Sequence, residues 1–297
     1  MKYLSPLTVA RLRRLRKRML RFRSPHGLAG PHRSRLAGLG QEFSQHRQYN
    51  DGDDIRFVDW KAFARRDRLY IKEFEEEKSL RVWILLDASA SMGFRGSAAP
   101  LSKWEHSCRI AMGLAYLLSL QGDYCGLCAF SEGVRARTEP AATLSSLTAI
   151  DEALASLSPS GRASLPDALP LAMSGCERAG AFILLSDLLD ESENFAAAAA
   201  SIKRRGSGAA LFHVADREEI ELPYSGRTLF SELEGGSTFE CEPETLRGEY
   251  ASIMKERLHL CQSACHASSV AYFPTFTDLP PESALENAVG VLSGRLA

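Results

Sequence analysis

Short unbroken apolar runs alternate with helix-period stripes along most of the chain. Val82-Trp83-Ile84-Leu85-Leu86 is the clearest run: brief, continuous and followed by turn-prone residues, the pattern of a strand buried on both faces. Spacing and breakers predict a strand over 81–87 and a helix over 103–120 with Ser102 as its N-cap. A strand over 124–130, a short edge strand over 134–138 and a helix over 143–157 follow. The next helix covers 165–175, with Pro166 in its first turn. A second strong strand, 181–186, precedes a helix over 192–205 that stops at Gly206. A strand over 209–214, a long helix over 242–267, a late strand over 270–273 and a terminal helix over 281–296 complete the series. This alternation is that of an α/β fold with a mostly parallel central sheet and helices on both faces. Ligand sites in such folds lie beyond the C-terminal strand ends, near the topological switch point.

The N-terminal part reads differently. Between Leu7 and Arg23, Leu12, Leu15, Met19 and Phe22 share one helical face while Arg and Lys cover the rest. Residues 24–40 hold Pro25, Gly27, Gly30, Pro31, Gly38 and Gly40 and read as a linker. Charge follows the same division. The net charge is −1, yet eleven of the 36 Lys and Arg precede Leu36 and the first acid is Glu42. A basic arm, 1–37, therefore precedes an acidic body. Its stripe either packs on its own domain or contacts anionic lipid, nucleic acid or an acidic protein surface.

Two strong strands end in aspartate: Asp87 after the first, Asp187 after Ala181 to Ser186. In Asp87-Ala88-Ser89-Ala90-Ser91 alternate side chains of an extended loop point one way, so a carboxylate and two hydroxyls face a single point. Three hard oxygens without sulfur or imidazole suit Mg²⁺ before Zn²⁺.

Composition narrows the class. At 297 residues, 45% hydrophobic and 25% charged, the chain is of ordinary globular type. No apolar run reaches the roughly 18 residues of a membrane helix, and no apolar signal segment stands at the start. A soluble, cytoplasmic protein is the expectation. Seven scattered cysteines read as buried thiols. The Cys125-x-x-Cys128 pair lies in a predicted strand, not at a helix start, and Cys261, Cys265 and His266 lack a second ligand pair for zinc. No Gly-x-Ser-x-Gly, phosphate loop or metalloprotease histidine spacing is present, and no groove-reading nucleic-acid motif. His106 reads as a surface or packing residue on its helix.

Asp87-x-Ser89-x-Ser91 together with Ile183-Leu184-Leu185-Ser186-Asp187 resembles the von Willebrand factor A domain. The resemblance implies a metal-ion-dependent adhesion site for Mg²⁺ built from Asp87, Ser89, Ser91 and Asp187, with one position left for a partner's carboxylate. A threonine from a middle loop normally joins them. Here that loop reads Ser160-Gly161-Arg162-Ala163-Ser164-Leu165, so Ala163 stands at the threonine position and Ser164 is the nearest substitute. Loss of that oxygen implies a weak or absent ion.

A second pattern runs Gly38-Leu39-Gly40-Gln41-Glu42-Phe43, Arg47, Tyr49, Gly52-Asp53-Asp54, Arg56, Asp59-Trp60, Ala64-Arg65 and Leu69-Tyr70-Ile71-Lys72-Glu73-Phe74-Glu75. It resembles the signature of domain-of-unknown-function family 58, which stands immediately before a von Willebrand A-like core. The expected organisation is therefore 1–37 arm and linker, 38–78 signature block packed on the core, and 79–297 A-like domain. The alternating Asp and Arg of the block read as mutual clamps, with Trp60, Phe63 and Phe74 anchoring it. The resemblance implies a non-enzymatic adaptor working with a MoxR-type AAA+ ATPase or its client, through an acidic group bound at the site. Two alternatives compete: a Mg²⁺-dependent phosphoester hydrolase using Asp87 with Asp53, Asp54 and Asp59, and a peripheral membrane protein attached through residues 7–23.

Overall fold

The computed structural model describes residues 1–15, 20, 33–34, 42–50, 54–66, 68–77, 79–176, 179–189, 192–205 and 208–293. Two compact units result, one of Arg23–Ser79 and one of Met1–Phe22 with Leu80–Ala297.

Helix α1 (Pro6–Leu15) covers the described start of the expected 7–23 stretch, of which residues 16–19 and 21–23 lie outside the described residues. Met19 and Phe22 lie outside the described residues. Leu12 and Leu20 are fully buried in the core of the larger unit, with Val9 and Leu15 packed beside them. Two further ties hold this segment. The Lys2 and Tyr3 backbone amides donate to the Asp151 carboxylate at 2.7 and 2.9 Å, and Leu20 N–H donates to Gln121 at 2.7 Å. The described part of the apolar stripe, Leu12 and Leu15, is thus spent on its own domain.

The smaller unit is a three-stranded antiparallel sheet, β1 (Arg33–Ser34), β2 (Glu42–Gln48) and, after helix α2 (Trp60–Arg66), β3 (Tyr70–Glu77), in the order β1-β3-β2. Asp54 caps the short 3₁₀ turn Ile55–Phe57 and pairs with Arg56 at 2.6 Å. Asp59 accepts from Ala62 N–H at 3.1 Å at the start of α2. Asp51, Asp53 and Asp67 lie outside the described residues. Trp60 is exposed and meets Phe63 edge-on at 6.3 Å.

In the larger unit, β4 (Arg81–Asp87) leads through a 3₁₀ turn, Ala90–Gly93, to α3 (Lys103–Gln121), β5 (Tyr124–Phe130), β6 (Val134–Ala141), α4 (Leu144–Ala155) and α5 (Leu165–Met173). Then come β7 (Ala181–Ser186), α6 (Ser192–Arg205), β8 (Gly208–Ala215), α7 (Arg217–Glu221) and a hairpin of β9 (Thr228–Ser231) and β10 (Thr238–Cys241). Helix α8 (Pro243–Ala267), β11 (Ala271–Phe276) and α9 (Pro281–Leu292) close the series. The main sheet runs β11-β8-β7-β4-β5-β6. Every pairing is parallel except β5 with the edge strand β6.

Strand β4 shows why this sequence makes a two-faced sheet. Val82, Ile84 and Leu86 face one core with Ile110, Leu114, Leu285 and Leu12, while Trp83 and Leu85 face the other with Leu165, Leu169, Phe195 and Cys261. A strand buried on both sides has no polar face to alternate with, hence its unbroken apolar run. Helix α3 carries the expected Ser102 cap, completed into a reciprocal capping box by Glu105, and ends at Gly122 with φ 80°. His106 is a packing residue: it is buried, neither ring nitrogen has a hydrogen-bond partner among the described residues, and burial holds it at about 4, with Arg109 adding to the shift. Helix α7 and the β9–β10 hairpin escape periodicity because they are short and mostly exposed.

Candidate functional site

The chain passes from β4 to β5 on one side, then returns to β7 on the other, so strand order reverses between β4 and β7. Asp87 closes β4 and Asp187 directly follows β7, at the C-terminal rim where an open α/β sheet binds ligands. The first loop and the middle loop run side by side: Ala90 N–H donates to Gly161 O at 2.9 Å and Ser160 N–H to Ala88 O at 2.9 Å. Gly161 takes φ 77°, a left-handed turn that swings the chain toward Ala163. A pocket of about 400 Å³ opens here, lined by Asp87, Ser89, Ala163, Ser164, Asp187 and neighbours including Arg162 and Glu234.

One continuous network joins the polar groups. Asp87 accepts from the Ser186 hydroxyl at 2.7 Å and from Ser89 N–H at 2.9 Å. The Ser89 and Ser91 hydroxyls lie 3.0 Å apart, and the Ser91 hydroxyl is among the groups that favour the ionised form of Asp187. Asp187 then binds the Lys103 ammonium at 2.8 Å, and Lys103 reaches Glu219 of α7 at 2.6 Å. Behind the rim, the His213 ring lies 3.0 Å from the Asp187 carbonyl and 2.8 Å from the Tyr272 hydroxyl. Burial holds His213 at about 4, against the pull of Asp187, and both its nitrogens are engaged. It is therefore no free base for Ser89 or Ser91. Leu188 follows in a left-handed conformation, φ 53°, which costs a leucine about 1–2 kcal/mol.

Asp87 and Asp187 respond oppositely to the same burial. Burial, then the charge of Asp187, raises the Asp87 carboxyl to about 7. Burial also pushes Asp187 upward, but the Lys103 ammonium outweighs it and holds Asp187 below the usual carboxylate range. Lys103 stays charged: its two carboxylates more than offset desolvation.

All four residues read from the strand-end pattern, Asp87, Ser89, Ser91 and Asp187, thus converge. Ser164 lines the same pocket, but its hydroxyl donates to Asp167 at 2.9 Å. Ala163 lines it too and offers no oxygen. Lys103, Glu219, Ser186 and His213 were not read as site residues. Lys103 carried a signal, a lysine at the first position of a helix, against the helix dipole. Asp54 and Asp59 are each used within their own unit, and Asp53 lies outside the described residues.

The donor set fits a small hard cation. Asp87, Ser89 and Ser91 offer oxygens, and with Asp87, Asp187 and Glu219 ionised around Lys103 the cluster carries two negative charges, the complement of one divalent ion.

Residues 45–259 match the family model described as Protein of unknown function DUF58. The chain belongs to this family. A relative called Uncharacterized protein Rv1480, from Mycobacterium tuberculosis, is 26% identical over 234 residues, 75% of this chain and 71% of its own. YeaD of Bacillus subtilis is 36% identical over 61 residues, 20% of this chain and 15% of its own. Among solved structures, BatB from Bacteroides thetaiotaomicron is similar with a TM-score of 0.49 and 17% identity, over 72% of this chain and 97% of that chain. A von Willebrand factor type A protein from Catenulispora acidiphila gives 0.42 and 15%, over 74% of this chain and 43% of that chain. The larger unit of this DUF58 protein is an α/β fold around a six-stranded, mostly parallel sheet, with the N-terminal helix packed on it. No helix among its described residues is long and apolar enough to cross a membrane.

Proposed function

We propose that this DUF58 protein is a cytoplasmic protein-interaction module that acts by binding, and that its rim between β4 and β7 takes up an acidic group of a protein partner. The observation that carries the reading is the convergence of Asp87, Ser89 and Asp187 on one open pocket at the switch point, with the Ser91 hydroxyl 3.0 Å from that of Ser89. Asp87, Ser89 and Ser91 would hold Mg²⁺, with Asp187 behind; the ion would supply an open coordination position for a carboxylate. The chain's own residues pre-organise that face: Ser186 and Ser89 N–H fix Asp87, and Lys103 fixes Asp187. The family resemblance points to a MoxR-type AAA+ ATPase, or its client, as the partner.

Affinity capture from native cells, with ATP and Mg²⁺ present, tests this. Wild type is expected to recover the ATPase and Asp87→Ala to lose it. Recovery of no ATPase, or equal recovery by both proteins, contradicts the proposal.

A further inference from the structure

Lys103 occupies a place that is unfavourable twice over. It opens α3, where the helix dipole repels a cation, and its side chain is 0% exposed. Two carboxylates offset this, Asp187 at 2.8 Å and Glu219 at 2.6 Å. They come from different elements, the end of β7 and the short helix α7, so the lysine ties the rim to the segment that follows β8. Asp187 is also the carboxylate whose ionised form is favoured by the Ser91 hydroxyl, at the end of the hydroxyl chain from Ser89. The ammonium therefore stands in the same polar network as the oxygens that suit an ion.

A tethered cation at this point has two electrical consequences. It neutralises Asp187 permanently, which is part of what a bound metal does. It also repels any second cation brought to Asp87, Ser89 and Ser91, strongly so in a buried, weakly screened setting. Glu219 acts in the opposite sense, because it cancels the lysine's charge and returns the rim to net negative. Ala163 agrees with this arrangement: a rim that carries its own cation has less need of another oxygen donor.

We infer that Lys103 is the resident counter-cation of this site, a positioning residue that holds Asp187 without a metal and weakens the rim's affinity for a divalent ion, with Glu219 as its opposing partner. The inference rests on the ion-supported reading proposed above.

The test is a Mn²⁺ titration by calorimetry on the full chain, comparing parent, Lys103→Met and Glu219→Gln, each also in an Ala163→Thr background that restores a hydroxyl to the middle loop. Lys103→Met is expected to bind Mn²⁺ more tightly by roughly tenfold or more, and Glu219→Gln more weakly by several-fold. In parallel, exchange of EDTA for Mg²⁺ should raise the melting temperature of Lys103→Met more than that of the parent. Equal or weaker binding by Lys103→Met overturns the inference. If that variant does not fold, Glu219→Gln decides, and unchanged or tighter binding by it overturns the inference equally. Measurable but equal affinities remove the role of Lys103 and leave the ion-bridged reading standing. Absence of Mn²⁺ binding in every variant removes the ion-bridged reading, and the inference with it.

Discussion

Two neighbouring strands end in the same residue type, at the same depth, with opposite outcomes. At the β4 end, Asp87 is buried among hydroxyls and an amide, and its carboxyl rises to about 7. At the β7 end, Asp187 is equally buried but touches the Lys103 ammonium and remains ionised. Hydroxyls and one N–H suffice to hydrogen-bond a buried carboxylate, yet do not offset the loss of water and the repulsion of a second carboxylate; an adjacent full charge does. The rim thus has one carboxyl ready to exchange a proton for a cation, and one already supplied.

The strongest way to break this contrast is to remove its cause. Lys103→Met leaves two carboxylates buried without their cation and is expected to lose about 3–5 kcal/mol, read by urea unfolding. Asp187→Asn leaves Lys103 with Glu219 alone and should cost about 3 kcal/mol. Asp87→Asn should cost only about 1 kcal/mol at neutral pH, since a carboxyl that is about half protonated there is replaced by another hydrogen-bonding group. Equal losses at the two aspartates would erase the distinction between the strand ends.

Proton linkage sharpens it further. The folded-state value of Asp87, about 7, lies above its ordinary 3.8, so this group's contribution to stability is full below 3.8 and declines as pH rises toward 7. Asp87→Asn should therefore gain on wild type as pH climbs through that window. His106 and His213 act in the other direction. Both are held at about 4 against an ordinary 6.5, so the stability they confer is complete above 6.5 and is lost as pH falls toward 4. His106→Leu should flatten the acid limb of a denaturation series. An acid limb of unchanged steepness would show that His106 is not carried neutral into the fold.

What the sequence displayed and what it hid follow from the range of the interactions. Val82 to Leu86 and Ala181 to Ser186 are continuous apolar runs because their strands are buried on both faces, and the aspartates behind them mark the rim. The Ser102 cap was legible for a similar reason, since a reciprocal capping box spans only four residues. Lys103 was read as the start of a helix and nothing more. Its partners stand 84 and 116 residues away, and no local pattern encodes a contact of that separation. Glu219 belongs to a five-residue helix too short to show a period. The N-terminal stripe displayed its amphipathicity but not its target; only the burial of Leu12, with Leu15 beside it, places its described part on its own domain. Ser164 shows the limit of substitution by type: it stands beside the threonine position, yet its hydroxyl serves Asp167.

The most direct measurement is a carboxyl-carbon NMR titration that follows Asp87 and Asp187 separately in the full chain, without metal. Asp87 is expected to titrate near 7 and Asp187 to remain ionised below its ordinary 3.8. Titration of both carboxyls together in the ordinary aspartate range would contradict the account.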